Sequence, residues 1–136
     1  MACGNGGHGM NDFATMTLPA ARDVVAPDGS DVRVLLRLRG GGMAHFELAA
    51  GKTSRAVAHR TVEEVWFVLS GRGDMWRRQG AREEVVAVQR GVCLTIPLGT
   101  QFQFRAFDGD EALTAIAITM PPWPGDGEAF EVTGRW

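Results

Sequence analysis

The feature that most constrains this chain is the regular alternation of short apolar runs with turn signals. Runs such as "VRVLLRL", "VEEVWFVLS" and "EALTAIAIT" are rich in β-branched, aromatic and leucine residues, and turn signals such as "PDGSD", "GRGD" and "DGDE" separate them. Helical periodicity is nearly absent, and no space remains for the crossover helices that parallel strands need. We therefore predict roughly nine or ten strands in a largely antiparallel all-β sandwich or barrel.

Size and charge narrow the classes of function. The 136 residues suffice for one domain with a buried core, and 45% hydrophobic and 22% charged residues are usual for globular proteins. The formal net charge of −2 gives no reason to expect nucleic acid or an anionic membrane as a partner. A basic cluster comprises Arg72, Arg77, Arg78, Arg82 and Arg90. Because Asp74, Glu83 and Glu84 lie among these arginines, we interpret the cluster as a solvated face of mixed sign.

The two cysteines favour a reducing compartment. Cys3 lies in a glycine-rich stretch and Cys93 in an apolar run, so we predict no disulfide and a cytoplasmic location. Cys93 is expected to be a small buried hydrophobic residue. No stretch approaches the ~20 apolar residues that span a bilayer, so no membrane partner is expected.

The chain divides into a barrel with two tails. We predict a flexible glycine-rich tail over residues 1–14, a barrel over 15–120, and a tail with proline and tryptophan over 121–136 that packs on the barrel or on a partner subunit. The runs "VWFVL" and "VCLTI" are apolar on both faces. Their outer faces should meet a second sheet or another subunit, and we expect a homodimer.

Two groups of residues in the middle of the chain carry a family resemblance. The first runs Gly51, five residues, Val57-x-His59, four residues, Glu64, six residues, Gly71. The second runs Gly91, five residues, Pro97-x-Gly99, two residues, Phe102, three residues, Ala106. Both frames resemble the two motifs of the cupin superfamily in every spacing. The resemblance implies a small single-domain cupin, which is an antiparallel jelly-roll β-barrel.

The resemblance also implies where a metal would lie. In cupins, two histidines and a glutamate of the first motif and a histidine of the second usually hold a divalent metal such as iron, manganese, nickel or zinc. Here His59 and Glu64 stand at two of these positions, and Val57 and Phe102 stand at the others. Valine and phenylalanine donate no lone pair, and catalytic metal sites usually keep three protein ligands. We predict no complete metal site and no firm cofactor; the alternative is a site rebuilt from His59, Glu64 and His45.

The same positions predict a ligand pocket. If Glu64 faces the barrel interior, strand alternation places Trp66 on that face, and Phe102 and Phe104 line it from the second motif. An aromatic cavity with few polar groups is typical of small-molecule sites. The alternative is that these rings fill the barrel as core. The predicted pocket residues are His45, Val57, Trp66, Phe102 and Phe104, with His59 and Glu64 as candidate catalytic residues.

Glu64 determines which chemistry is open to the pocket. A carboxylate among aromatic rings either gains a raised pKa and becomes neutral, or pairs with protonated His59. Each arrangement puts a titrating group near neutral pH. Three functions follow, in order of preference. They are a binding protein for a small organic molecule, a metal-independent isomerase or epimerase that uses His59 and Glu64 as acid and base, and a metal-dependent dioxygenase or sugar-phosphate isomerase with the rebuilt site.

Overall fold

The computed structural model describes residues 12–109 and 111–136, and within them the chain forms only strands, turns and loops. The strands are β1 (Val24–Val25), β2 (Asp31–Arg37), β3 (Gly42–Leu48), β4 (Val57–His59), β5 (Glu63–Ser70), β6 (Arg72–Gln79), β7 (Arg82–Gln89), β8 (Cys93–Ile96), β9 (Gln101–Ala106), β10 (Leu113–Met120) and β11 (Ala129–Glu131). The all-β prediction is confirmed. In the described part of the chain no helix is long and apolar enough to cross a membrane.

The strands form two antiparallel sheets with jelly-roll connections. One sheet has six strands in the order β1-β2-β3-β10-β5-β8, and the other has five in the order β11-β4-β9-β6-β7. From β3 onward the chain passes repeatedly from one sheet to the other, so that β10 lies between β3 and β5, and β9 between β4 and β6. This topology confirms the predicted jelly-roll barrel. The eleven strands exceed the predicted nine or ten because β4 and β11 span three residues each, too few to show alternation.

The core lies between the two sheets. On β5 the side chains of Glu64, Trp66 and Val68 are buried against the core, whereas those of Val65 and Phe67 point outward and are 42% and 46% exposed. The strand is therefore apolar on both faces, as its sequence shows, but the second sheet of this chain covers only one of them. The outer face of the six-stranded sheet is left open around Phe67.

Cys93 lies on that outer face, and the expectation of a buried cysteine is wrong. It is exposed at the start of β8 and pairs across the sheet with Phe67. The inward positions of β8 belong to Leu94 and Ile96, which are buried. Alternation along the strand therefore sends the thiol outward.

The C-terminal segment contributes to the barrel. Residues 129–131 form β11, which pairs with β4, so the predicted tail supplies a strand to the five-stranded sheet. Beyond it the chain crosses β9, where the buried amide of Gln103 bonds to the backbone of Arg135 and Trp136. Gly134 permits this close approach, because a Cβ there would lie 2.4 Å from the Gln103 amide oxygen. Of the predicted N-terminal tail, residues 1–11 lie outside the described part.

Candidate functional site

His59 and Glu64 are brought together by the short turn that joins the two sheets. His59 ends β4 and Glu64 is the second residue of β5, and both side chains point into the barrel. Their side chains are 5% and 2% exposed, and His59 Nδ1 lies 3.9 Å from Glu64 Oε2. The other carboxyl oxygen, Oε1, accepts a hydrogen bond of 2.7 Å from the indole N–H of Trp66.

Aromatic rings surround the pair. The His59 imidazole contacts the rings of Phe102 and Trp123 edge-to-face, with centroids 5.3 and 5.1 Å apart. The Trp66 indole packs in the same manner against Phe102 and Phe104, at 6.2 and 5.2 Å. These rings are in mutual contact, so they occupy the interior around Glu64. Their role as pocket lining stays a prediction.

Burial shifts the two titrating groups in opposite directions. Removal from water raises the pKa of Glu64 to about 7; Asp28 and Glu128 add to this, while the hydrogen bond from Trp66 opposes it. Removal from water lowers the pKa of His59 to about 4, and the Glu128 carboxylate opposes that change. His59 is therefore neutral at pH 7, so the 3.9 Å approach is not an ion pair. Of the two arrangements that the sequence left open, these pKa directions favour the neutral one.

The segment after β10 closes this end of the barrel. The Glu128 carboxylate accepts hydrogen bonds from the backbone N–H groups of Thr61 and Val62, at 2.7 and 2.9 Å, and from the Thr61 hydroxyl at 2.6 Å. Trp123, from the same segment, lies against His59. Both residues were missed in the sequence, where the only signal was that a segment with proline and tryptophan should pack against something.

The structure does not bring His45 to the pair. His45 lies on the face of β3 opposite to Phe46, whose ring stacks on Trp66 at 5.3 Å. Its Nδ1 atom is 3.4 Å from Nη1 of Arg33. Among residues 12–109 and 111–136, no three His, Cys, Asp or Glu side chains are grouped so as to hold a metal. The two remaining donors, His59 and Glu64, do not fit a catalytic metal site with three protein ligands.

The two positions that lack a metal ligand belong to one row across the five-stranded sheet. Val57 pairs with Phe102, Phe102 pairs with Arg77, and Arg77 pairs with Glu84. Residues directly opposite each other in an antiparallel sheet share a face. Arg77 therefore points to the same side as Phe102, yet its side chain is 20% exposed and pairs with Glu84, one of the acidic residues of the predicted mixed-sign face. Its neighbour Arg78 faces outward and is exposed.

Neither of two clefts on the described surface is lined by His59 or Glu64. One, of about 400 Å³, lies where the C-terminal residues cross Ser54 and Gln103. The other, of about 130 Å³, lies between the β6–β7 hairpin and the chain from β8 to β9. Because the side chains of His59 and Glu64 are only 5% and 2% exposed, a ligand that contacts them would have to displace a surrounding ring, and Trp123 is the partly exposed one.

Comparison with known proteins places the fold. No protein-family model and no curated protein matches the chain in sequence. The capsular polysaccharide assembling protein CapF from Staphylococcus aureus is similar in structure, with 18% identity, a TM-score of 0.64, and a match over 79% of this chain and 33% of that one. An uncharacterized protein with a double-stranded β-helix domain from Klebsiella pneumoniae matches at 15% identity and a TM-score of 0.61, over 79% of this chain and 82% of that one. Lactobacillus farciminis oxalate decarboxylase matches at 16% identity and a TM-score of 0.66, over 76% of this chain and 31% of that one.

This chain spans about a third of the length of CapF and of oxalate decarboxylase. At such identities the likeness concerns the fold alone. The matched proteins are of the cupin type, the fold that the two motif frames predicted. The protein therefore has the cupin fold.

Proposed function

We propose that this protein binds a small organic molecule at the His59–Glu64 end of the barrel, without a complete metal site. The observation that carries the proposal is an unsatisfied hydrogen-bonding atom in the His59–Glu64 pair. His59 Nδ1 is buried without a hydrogen-bond partner among the described residues, 3.9 Å from the Glu64 carboxyl. A buried polar atom left unpaired costs about 1–3 kcal/mol, and an unpaired group in a native structure calls for a function or a bound molecule to explain it.

The spacing of the pair suits one oxygen atom of a ligand. A separation of 3.9 Å is too long for a direct hydrogen bond between His59 and Glu64. An oxygen placed about 2.8 Å from each atom can bond to both. Neutral imidazole offers one donor or acceptor at Nδ1, and a protonated carboxyl offers a donor. A hydroxyl or carbonyl group therefore fits, with the apolar part of the ligand against the ring of Phe102.

Indole N–H signals in NMR test this proposal. A panel of small hydroxyl and carbonyl compounds is expected to include one that shifts the signals of Trp66 and Trp123 saturably, because both indoles contact the pair. His59→Phe keeps an aromatic ring but removes the nitrogen, and should weaken binding at least about tenfold. His45→Phe is the matched control at the other buried histidine. A compound that binds both variants equally would contradict the proposal.

The second candidate is a metal-independent isomerase or epimerase. The observation in its favour is that burial moves the two pKa values apart, to about 7 for Glu64 and about 4 for His59. An acid and a base with separated pKa values are typical of acid–base catalysis. Incubation of sugars and keto compounds in D₂O should then give carbon-bound deuterium, lost in Glu64→Gln. Exchange that persists in this variant would exclude Glu64 as the acid or base.

A metal-dependent enzyme has the least support, because only two donors converge. Mass spectrometry after exposure to iron, manganese, nickel and zinc tests it directly. We expect less than one metal per chain. A stoichiometric metal that is lost in His59→Ala would overturn this expectation and require a further ligand.

A further inference from the structure

The cleft between the β6–β7 hairpin and the chain from β8 to β9 has the composition of a binding site. We name it the arginine cleft. Its lining residues are Arg77, Gln79, Arg82, Glu84, Thr95, Pro97 and Thr100. Its volume is about 130 Å³, whereas one water needs about 10–15 Å³ of such space. A polyatomic group can therefore enter.

Two residues that line this one cleft each contain a buried polar atom without a hydrogen-bond partner. These atoms are Nε of Arg77 and Oγ1 of Thr100, and within the described residues the remaining such side-chain atom is His59 Nδ1. Thr100 is 2% exposed, so bulk water does not satisfy its hydroxyl. A guanidinium N–H is always a donor, and a hydroxyl donates when an acceptor is near. Each of these two lining residues thus holds a donor that needs an acceptor.

The guanidinium of Arg77 is already held in position. Its Nη1 donates to the backbone carbonyl of Thr95 at 2.9 Å, and its Nη2 donates to the Glu84 carboxylate at 3.1 Å. These two bonds fix the plane of the group, so that Nε is the donor left over. A preorganised guanidinium loses little side-chain entropy when it binds an anion.

The charge of the lining also favours an anion. Arg77 and Arg82 carry positive charge, and Glu84, which is already bonded to Arg77, carries the negative charge that faces them. Hydrogen bonds from arginine to carboxylate or phosphate oxygens are shorter and stronger than those between neutral groups. The excess of positive charge would stabilise such an oxygen beside Thr100.

We propose that the arginine cleft binds the oxyanion group of a small molecule, either a carboxylate or a phosphate, which accepts hydrogen bonds from Arg77 Nε and Thr100 Oγ1. Neither His59 nor Glu64 is among the lining residues of this cleft. The proposal is therefore independent of the proposed function, and either can fail alone.

The test is an NMR titration at low and constant ionic strength, with inorganic phosphate in one series and acetate in the other. The Nε–H signal of Arg77 and the amide signal of Thr100 are expected to shift saturably. Saturation by acetate alone indicates a carboxylate ligand, and saturation by phosphate indicates a phosphate ligand. Both results support the site. The indole signals of Trp66 and Trp123 should stay unchanged.

Three variants separate a site from general electrostatics. Arg82→Gln removes a charge that lines the cleft, and Arg78→Gln removes the same charge from the outward face of β6. Thr100→Val removes the buried hydroxyl with little change of shape and should fold normally. We expect at least about tenfold weaker anion binding in Arg82→Gln and Thr100→Val, and wild-type binding in Arg78→Gln. Shifts that grow without saturation, or equal losses in the Arg82 and Arg78 variants, would overturn the proposal.

Discussion

Glu64 and His59 should affect stability in opposite senses as the pH changes. The pKa of Glu64 is about 7 in the folded protein against an ordinary 4.5, and that of His59 is about 4 against 6.5. One pKa unit is worth about 1.4 kcal/mol. Each group therefore changes the free energy of unfolding by up to about 3 kcal/mol over its own pH range.

The two contributions to stability have opposite pH dependence because folding strengthens proton binding at Glu64 and weakens it at His59. The folded protein binds the Glu64 proton more tightly than the unfolded chain does, so this contribution is full below pH 4.5 and is lost as the pH rises through about 7. The folded protein binds the His59 proton less tightly, so that contribution is present above pH 6.5 and is lost as the pH falls through about 4. Between pH 4.5 and 6.5 the Glu64 contribution falls with rising pH while the His59 contribution rises, so the two changes in the free energy of unfolding nearly cancel in the wild type.

Neutral variants uncouple the two contributions. Glu64→Gln should match the wild type near pH 4.5 and exceed its stability by up to about 3 kcal/mol at pH 8. For His59→Gln, the difference in stability from the wild type should shift in favour of the variant by up to about 3 kcal/mol between pH 8 and pH 4. Urea unfolding across this pH range gives both profiles as differences from the wild type, so that other titrating groups cancel.

The exposed neighbour Glu63 supplies the control. Glu63→Gln should leave the free energy of unfolding within about 0.5 kcal/mol of the wild type at every pH. If Glu64→Gln proves less stable than the wild type at pH 8, then Glu64 is ionised and paired with protonated His59. That result would refute the argument from burial.

Three further predictions concern other contacts. Trp66→Phe removes the indole N–H that opposes the raised pKa of Glu64, so a carboxyl titration followed by ¹³C NMR should show a higher pKa; a fall would contradict the assigned bond. We propose that a second copy of the chain covers the open face around Phe67, so sedimentation should show dimers for wild type and for Val85→Arg on the other sheet, but monomers for Phe67→Arg. A monomeric wild type would end this proposal. Gln103→Ala should lower the free energy of unfolding by about 1–3 kcal/mol in urea, since buried backbone groups lose their partner; an unchanged value would show that water replaces the amide.

The barrel could be predicted because its turns are encoded locally. Gly51, Gly71, Gly91 and Gly99 all adopt positive φ, at 79°, 78°, 92° and 79°, a conformation that other residues rarely take. Each glycine sits at a fixed distance from an apolar strand, so the frame is visible in one sequence. The short strands β4 and β11 gave no such signal, since three residues contain little more than one period of alternation.

The surroundings of the site could not be predicted in the same way. Trp123 and Glu128 reach His59 and its turn from more than sixty residues along the chain, as in the bond from Thr61 to Glu128 over 67 residues. The charged residues nearby in the sequence do not indicate which of Arg77 and Arg78 points toward the barrel interior. Only the register of β6 against β9 shows that Arg77 faces inward.

The bonds from Glu128 to the turn after His59 have a consequence for the rate of binding. If a molecule reaches His59 only when Trp123 and Glu128 move aside together, that motion has to break the bonds to Thr61 and Val62. The observed association rate will then level off at high ligand concentration, at the rate of opening, where a permanently open cavity would give a linear rise. Thr61→Val removes one of the three bonds and should raise this plateau, which stopped-flow fluorescence of the tryptophans can follow.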